Sequence, residues 1–178
     1  MSKTTSEEVD DRQLELAREA GEVYQEALSY MAEEVANVGA TQKAGDYIVG
    51  FAQEEAEGLY VPGDDGELEW EEPGDRNCHI EIAVCDRDDG RFLPEMDVAV
   101  TIRDDSGEDV ATFQPPFLWH PGLFHYGSNI ELPGDGEYTI EVVVDPPTFH
   151  RHDEENGDRY TEPVEVRFED VHLETGQD

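Results

Sequence analysis

Across residues 7–38, apolar side chains recur at Leu16, Ala20, Val23, Tyr24, Ala27, Leu28, Met31, Val35 and Val38. That three-and-four spacing predicts one long amphipathic helix. Thr5 with Glu8 offers a capping-box signature at its start, and Gly39 a stop at its end. The apolar stripe must be buried, either against β structure of the same chain or against a partner's helix.

After Gly45 the period changes from helical to alternating. Short segments at 47–51, 59–61 and 68–70 are separated by turn residues such as Pro62-Gly63-Asp64-Asp65-Gly66 and Pro73-Gly74-Asp75. The alternation then becomes regular. Ile80, Ile82 and Val84 share one face of a strand, with His79, Glu81 and Ala83 on the other; Val98, Val100 and Ile102 repeat the pattern. Tyr138, Ile140, Val142 and Val144 form the strongest strand, and Val164, Val166 and Phe168 the last. Strands at eight-to-twelve-residue spacing, with no helical pattern between them, predict a mainly β fold: an immunoglobulin-like antiparallel β-sandwich of about seven or eight strands with one N-terminal α-helix. The expected division is a helix over 1–44 and a sandwich over 45–178.

One stretch breaks the alternation. FQPPFLWHPGLFHYGSN, residues 113–129, holds three prolines, two histidines and a dense set of aromatics. Proline fixes φ and removes an amide donor, so a stiff loop is expected here, with Gly127 allowing a tight turn. Such a loop can hold the imidazoles of His120 and His125 in place.

Charge narrows the partners. The 178 residues carry 46 acids and 11 bases, a formal net charge of −35 spread over the whole chain, and Lys3 and Lys43 are the only lysines. This is the surface of a halophile's acidic protein, soluble where salt screens carboxylate repulsion. With no basic cluster to release counterions or meet anionic lipid, nucleic acid and membrane surfaces are poor partners. The first residues lack a basic segment followed by an apolar run, and no span reaches eighteen apolar residues. As written, the expectation is a cytoplasmic protein without membrane insertion. Cys78 and Cys85 lie seven apart on one strand, so they should point to opposite faces and stay unpaired.

The candidate chemistry is in the histidines. His79 and Glu81, two apart on a strand, project together as a mixed nitrogen–oxygen site for a transition metal requires. His125 sits in His125-Tyr126-Gly127-Ser128-Asn129, and His152 in His150-Arg151-His152-Asp153 after Pro146-Pro147. No nucleophile–base pair with triad character stands out, and no enzyme is expected.

Taken in order, His79-Ile80-Glu81, Phe113-Gln114-Pro115-Pro116, His125-Tyr126-Gly127-Ser128-Asn129, Gly136-Glu137-Tyr138, Pro146-Pro147 and Arg151-His152-Asp153 carry a resemblance over residues 49–168. The chain resembles the immunoglobulin-like periplasmic metal-binding proteins of bacterial ferrous-iron uptake, the iron-transport family with its copper-binding members. The resemblance implies His79, His125 and His152 as ligands, Glu81 beside them, a divalent copper, iron or zinc ion, a homodimer, and a membrane metal permease as partner. Family members are extracytoplasmic. Where the family has methionines flanking the loop proline, this chain has Gln114 and Pro116, so the soft thioether is missing. The loop is about two residues longer, and His120 in the added length is expected to replace the lost ligand or stand behind it. Two further readings remain: a metal-free interaction module using the aromatic 113–129 loop, and a cupin-like metalloenzyme, which would need an open coordination position.

Overall fold

The computed structural model describes residues 2–176. Its helix α1, Asp11–Tyr30, starts later than the capping-box signature at Thr5 suggested. Asp10 is the N-cap: its carboxylate accepts from the Gln13 amide at 2.8 Å, and the Gln13 side chain accepts from the Asp10 amide at 3.0 Å. A reciprocal pair of this kind satisfies two otherwise unpaired donors of the first turn. The helix ends early as well. Residues Met31–Val35 form a π-turn, with the Ala36 amide donating to Met31 O at 2.9 Å, and the chain then leaves in extended conformation.

Gly39 is therefore not a helix stop but part of β1, Val38–Ala44. A Cβ there would stand 2.7 Å from Ala32 Cβ and 2.9 Å from Phe51 O, so only glycine lets the strand pass under the π-turn. Since β1 pairs with β2 along its whole length, the β structure begins ahead of the expected boundary at residue 45.

Ten more strands follow: β2 Tyr47–Glu54, β3 Leu59–Pro62, β4 Leu68–Glu71, β5 Cys78–Asp86, β6 Asp97–Arg103, β7 Asp109–Phe113, β8 Phe117–Leu118, β9 His125–Ile130, β10 Gly136–Asp145 and β11 Val164–Leu173. They make a five-stranded sheet in the order β1-β2-β5-β9-β8, a four-stranded sheet in the order β11-β10-β6-β7, and a small β3–β4 hairpin. All pairings are antiparallel. The β-sandwich expected from the alternation is present, with more strands than the pattern suggested because β1 is polar, β8 is two residues long and β9 lies in the stretch read as a loop.

The core lies between the two large sheets. Ile80, Ile82 and Val84 of β5 meet Val100, Ile102, Ile140 and Val142 of the facing sheet, all fully buried. Burial of each such side chain contributes ~1.5–3 kcal/mol relative to exposure. The opposite face of β5 is buried too, under a second apolar cluster in which Leu28 of α1 and Met31 of the π-turn pack on Ile48, Ala52, Ala83, Cys85 and Leu123. Of the two destinations open to the helix stripe, the chain's own sheet is the one it takes, although Leu16, Val23 and Val35 face outward. Cys78 belongs to the inter-sheet core and Cys85 to the helix-side cluster, on opposite faces and unpaired.

Candidate metal centre

The helix covers only one end of the five-stranded sheet. At the other end of the same face, β5 and β9 run antiparallel with Glu81 opposite Gly127 and His79 opposite Asn129. Alternation along β5 sends His79 and Glu81 to this outer face, and alternation along β9 sends His125, Gly127 and Asn129 there too. Three side chains from two neighbouring strands thus converge by register alone. One ligand-type atom each from His79, Glu81 and His125 lies within 4.8 Å of the others, and all three residues are buried.

Gly127 leaves the space between them. A Cβ at that position would stand 2.9 Å from His79 Nε2, 3.1 Å from His125 Cδ2 and 2.8 Å from Leu118 Cδ1. The sequence suggested a turn at this glycine; instead it lies within β9, and its role is the missing side chain.

Both imidazoles are held from behind. His125 Nδ1 lies 3.0 Å from Leu123 O, which can only accept, so Nδ1 carries the proton. His79 Nδ1 lies 2.8 Å from Asn129 Oδ1. Each ring therefore turns an unprotonated Nε2 toward the gap, and neither Nε2 has a hydrogen-bond partner. His125 Nε2 comes within 3.2 Å of Glu81 Oε1 without hydrogen-bonding alignment. Buried polar atoms left unpaired cost free energy unless something else engages them.

The electrostatics agree with the geometry. Burial lowers the pKa of His79, against a smaller opposing effect of its bond to Asn129. Burial likewise lowers His125, to about 4, with His79 and His120 adding to the effect. Both rings are neutral at physiological pH and offer lone pairs. Burial raises Glu81 to about 8, helped by the negative charges of Glu54 and Glu57. An uncompensated carboxylate in a dry pocket takes a proton, and a cation placed beside it reverses that preference. The donor set is two borderline nitrogens and one hard oxygen, with no sulfur. It fits Cu(II), Fe(II) or Zn(II) better than Cu(I), calcium or magnesium.

The remaining candidates fall at different distances. His120 is exposed at the rim, its ring centroid 6.0 Å from that of His125, and its Nδ1 accepts from the Gly122 amide at 3.1 Å. It stands outside the three-residue cluster. His152 does not join either: its side chain is 94% exposed, 3.7 Å from Glu8 in the 146–163 connection. Sequence order placed three imidazoles together, whereas one chain brings only two to the carboxylate, because the 146–163 connection is tied to the N-terminal arm through Ser6–Asp153 and Thr4–Asn156 hydrogen bonds. Gln114 is turned away, with its amide 3.3 Å from Asp97.

Two acids escaped the sequence reading. Glu54 is paired across the ladder with His79, and Glu57 follows on the connection to β3; both influence Glu81. Glu54 itself is raised, by burial first and by Glu57 second. The signal for Glu54 was available in principle, since extending β2 by three residues puts it beside His79.

A β-sandwich that buries two free imidazole nitrogens and a carboxylate around an unfilled strand position has the construction of a metal-binding protein. The comparisons say which. A model of the Fe2+ transport protein family matches residues 69–174, more than half of the chain, and the chain belongs to that family. Among solved structures, the FetP protein of uropathogenic Escherichia coli is similar at 21% identity, with a TM-score of 0.60 over 75% of this chain and 94% of that one. The copper-reconstituted P19 protein of Campylobacter jejuni is similar at 16% identity, TM-score 0.59, over 75% and 94%. A copper-bound variant of FetP matches at 20% identity, TM-score 0.59, over 75% and 95%. At these identities the likeness is one of fold. A UPF0423 protein of Brucella abortus is 34% identical over 61 residues, covering 30% of this chain. The match spans only about a third, 34%, of that relative's length.

Proposed function

We propose that this chain binds a divalent transition-metal ion, Cu(II), Fe(II) or Zn(II), as the cargo of a metal-uptake or homeostasis system. His79 Nε2, His125 Nε2 and a Glu81 carboxylate oxygen are the ligands. The observation that carries the reading is the convergence of two buried imidazole Nε2 atoms and the Glu81 carboxylate on the space that Gly127 leaves open. The membership in the Fe2+ transport family and the copper bound by a FetP variant support it. The role is capture and delivery, not catalysis.

The wider arrangement follows the same reading. The chain works as a homodimer that hands its ion to a membrane metal permease, outside the cytoplasm, as in the compartment where the FetP relative was produced. Among the described residues no helix is long and apolar enough to cross a membrane. His120 at the rim guides or completes coordination. His152, with its imidazole exposed, is a ligand only if a second chain is brought against it.

Metal titration of untagged protein tests this. Wild type should take up about one Zn(II) or Cu(II) per chain, and a His79→Ala/His125→Ala variant should not. Equal uptake by the two would refute the site. The metal-free interaction module keeps one observation in its favour, the exposure of Trp119 at 72% in the aromatic loop. It predicts no stoichiometric metal in either protein.

A further inference from the structure

Asn129 makes three hydrogen bonds that no other arrangement of its amide could make. Its Oδ1 faces His79 Nδ1 at 2.8 Å and accepts from the Glu57 amide at 3.2 Å, while its Nδ2 donates to Glu57 O at 2.6 Å. Flipping the amide would set NH2 against the Glu57 N–H and carbonyl against carbonyl. The backbone of Glu57 therefore fixes which end of Asn129 meets the ring, and that end can only accept. His79 must keep its proton on Nδ1 and present Nε2 to the gap beside Gly127, 2.9 Å from where a Cβ would be.

The same amide performs a second task. Residues 55–58 leave the sheet after β2, and Asn129 binds both backbone groups of Glu57 as a neighbouring strand would. This holds the Glu57 carboxylate near the site, where its charge acts on both His79 and Glu81. The connection continues into the β3–β4 hairpin, where the Trp70 ring packs over Gly58 in the space a Cβ would take.

We propose that Asn129 is a positioning residue of the metal centre, which sets the His79 tautomer and docks the 55–58 segment over the site with one side chain. The proposal rests on the metal-binding reading for its consequence, though not for its geometry. Partners behind a ligating imidazole fix ring orientation and tautomer, and their loss typically costs roughly 10–100-fold in metal affinity.

The test uses the full chain, without metal and with Zn(II). In metal-free Asn129→Ala, imidazole 15N spectra should show His79 losing its exclusive Nδ1–H tautomer, with His125, held by Leu123, as the unchanged internal control. The Glu57 amide should exchange faster, and Zn(II) affinity should fall by roughly 10–100-fold. Asn129→Asp keeps Oδ1, the acceptor for both His79 and the Glu57 amide, and loses only the donor to Glu57 O: it should retain the His79 tautomer, most of the affinity and most of the Glu57 amide protection. A His79 tautomer unchanged in Asn129→Ala, or an Asn129→Asp affinity as low as that of Asn129→Ala, would overturn the proposal. Wild type that takes up no zinc would defeat the metal reading alone, since the tautomer and amide exchange still decide the role of Asn129.

Discussion

Replacing Gly127 by alanine adds a single methyl group at the place where the two imidazoles and Glu81 converge. The new carbon would lie 2.8 Å from Leu118 Cδ1, 2.9 Å from His79 Nε2 and 3.1 Å from His125 Cδ2. Contacts under about 3 Å cannot persist, so the rings must retreat by several tenths of an ångström, and a metal–nitrogen bond of about 2.0–2.1 Å cannot follow that displacement. Overpacking a methyl group into a filled site typically costs ~1–3 kcal/mol. For a chain of this length that is roughly a 2–12 °C fall in Tm. The damage to binding should be larger, on the order of 100-fold or more, because either imidazole is displaced from a three-ligand set. Zinc affinity by chelator competition and Tm by calorimetry read the two effects separately. Gly50→Ala supplies the control: its Cβ would press on Thr41 Cγ2 at 3.2 Å, away from the site, so it should lower Tm with no loss of affinity. If Gly127→Ala bound zinc as tightly as wild type, the space between His79 and His125 would not be the metal position.

Other predictions concern protons, partners and salt. Glu81 has its pKa raised by burial to about 8, so the folded chain holds a proton there that the unfolded chain gives up near pH 4.5. The Glu81 contribution to metal-free stability should therefore decline as pH rises between those values, opposite in sign to that of the two lowered imidazoles, so the difference between wild type and Glu81→Gln in thermal melts from pH 5 to 8 isolates it, and Glu81→Gln should also weaken metal uptake. Asp86 behaves oppositely. Burial alone would raise it, but the Tyr160 hydroxyl, the Lys3 ammonium and the Asp89 amide outweigh burial and hold it below the usual value. Its stabilisation is present above the unfolded pKa and lost as pH falls through the lower folded one. Lys3→Met, which removes an ammonium 2.9 Å from Asp86 and 2.5 Å from Asp89, should move the acid limb of unfolding to higher pH. Salt should stabilise: taking KCl from 0.1 to 1 M shortens the screening length from ~10 to ~3 Å, and a chain of net charge −35 should melt several degrees higher. A flat or falling Tm would mean the carboxylates are not repelling one another appreciably.

The sandwich was legible because alternation in β5, β6 and β10 has one meaning on a sheet with a buried face. His79 and Glu81 were legible for the same reason, being two apart on such a strand. His125 was singled out but placed at a loop end; three prolines upstream obscured that HYGSN is itself a strand whose register with β5 brings its imidazole alongside Glu81. Gly127 was read through its conformational freedom, when the fact that matters is an absent side chain, visible only once two strands are set side by side. The helix boundaries failed for a local reason. Asp10 and Gln13 outcompete Thr5 and Glu8 as a cap, and the π-turn at Met31–Val35 leaves no mark in an apolar period. His152 shows the limit of motif order, since neighbours along a family pattern need not meet within a single chain.

X-ray absorption at the metal edge of zinc- or copper-loaded protein tests the central claim most directly. Imidazole produces multiple-scattering features that carboxylate and water do not, so the number of histidine ligands can be counted. The account predicts at least two imidazoles with one or more oxygens and no sulfur, and loss of the imidazole signal in His79→Ala/His125→Ala. A coordination sphere of oxygen alone, or imidazole scattering that survives in that double variant, would contradict it.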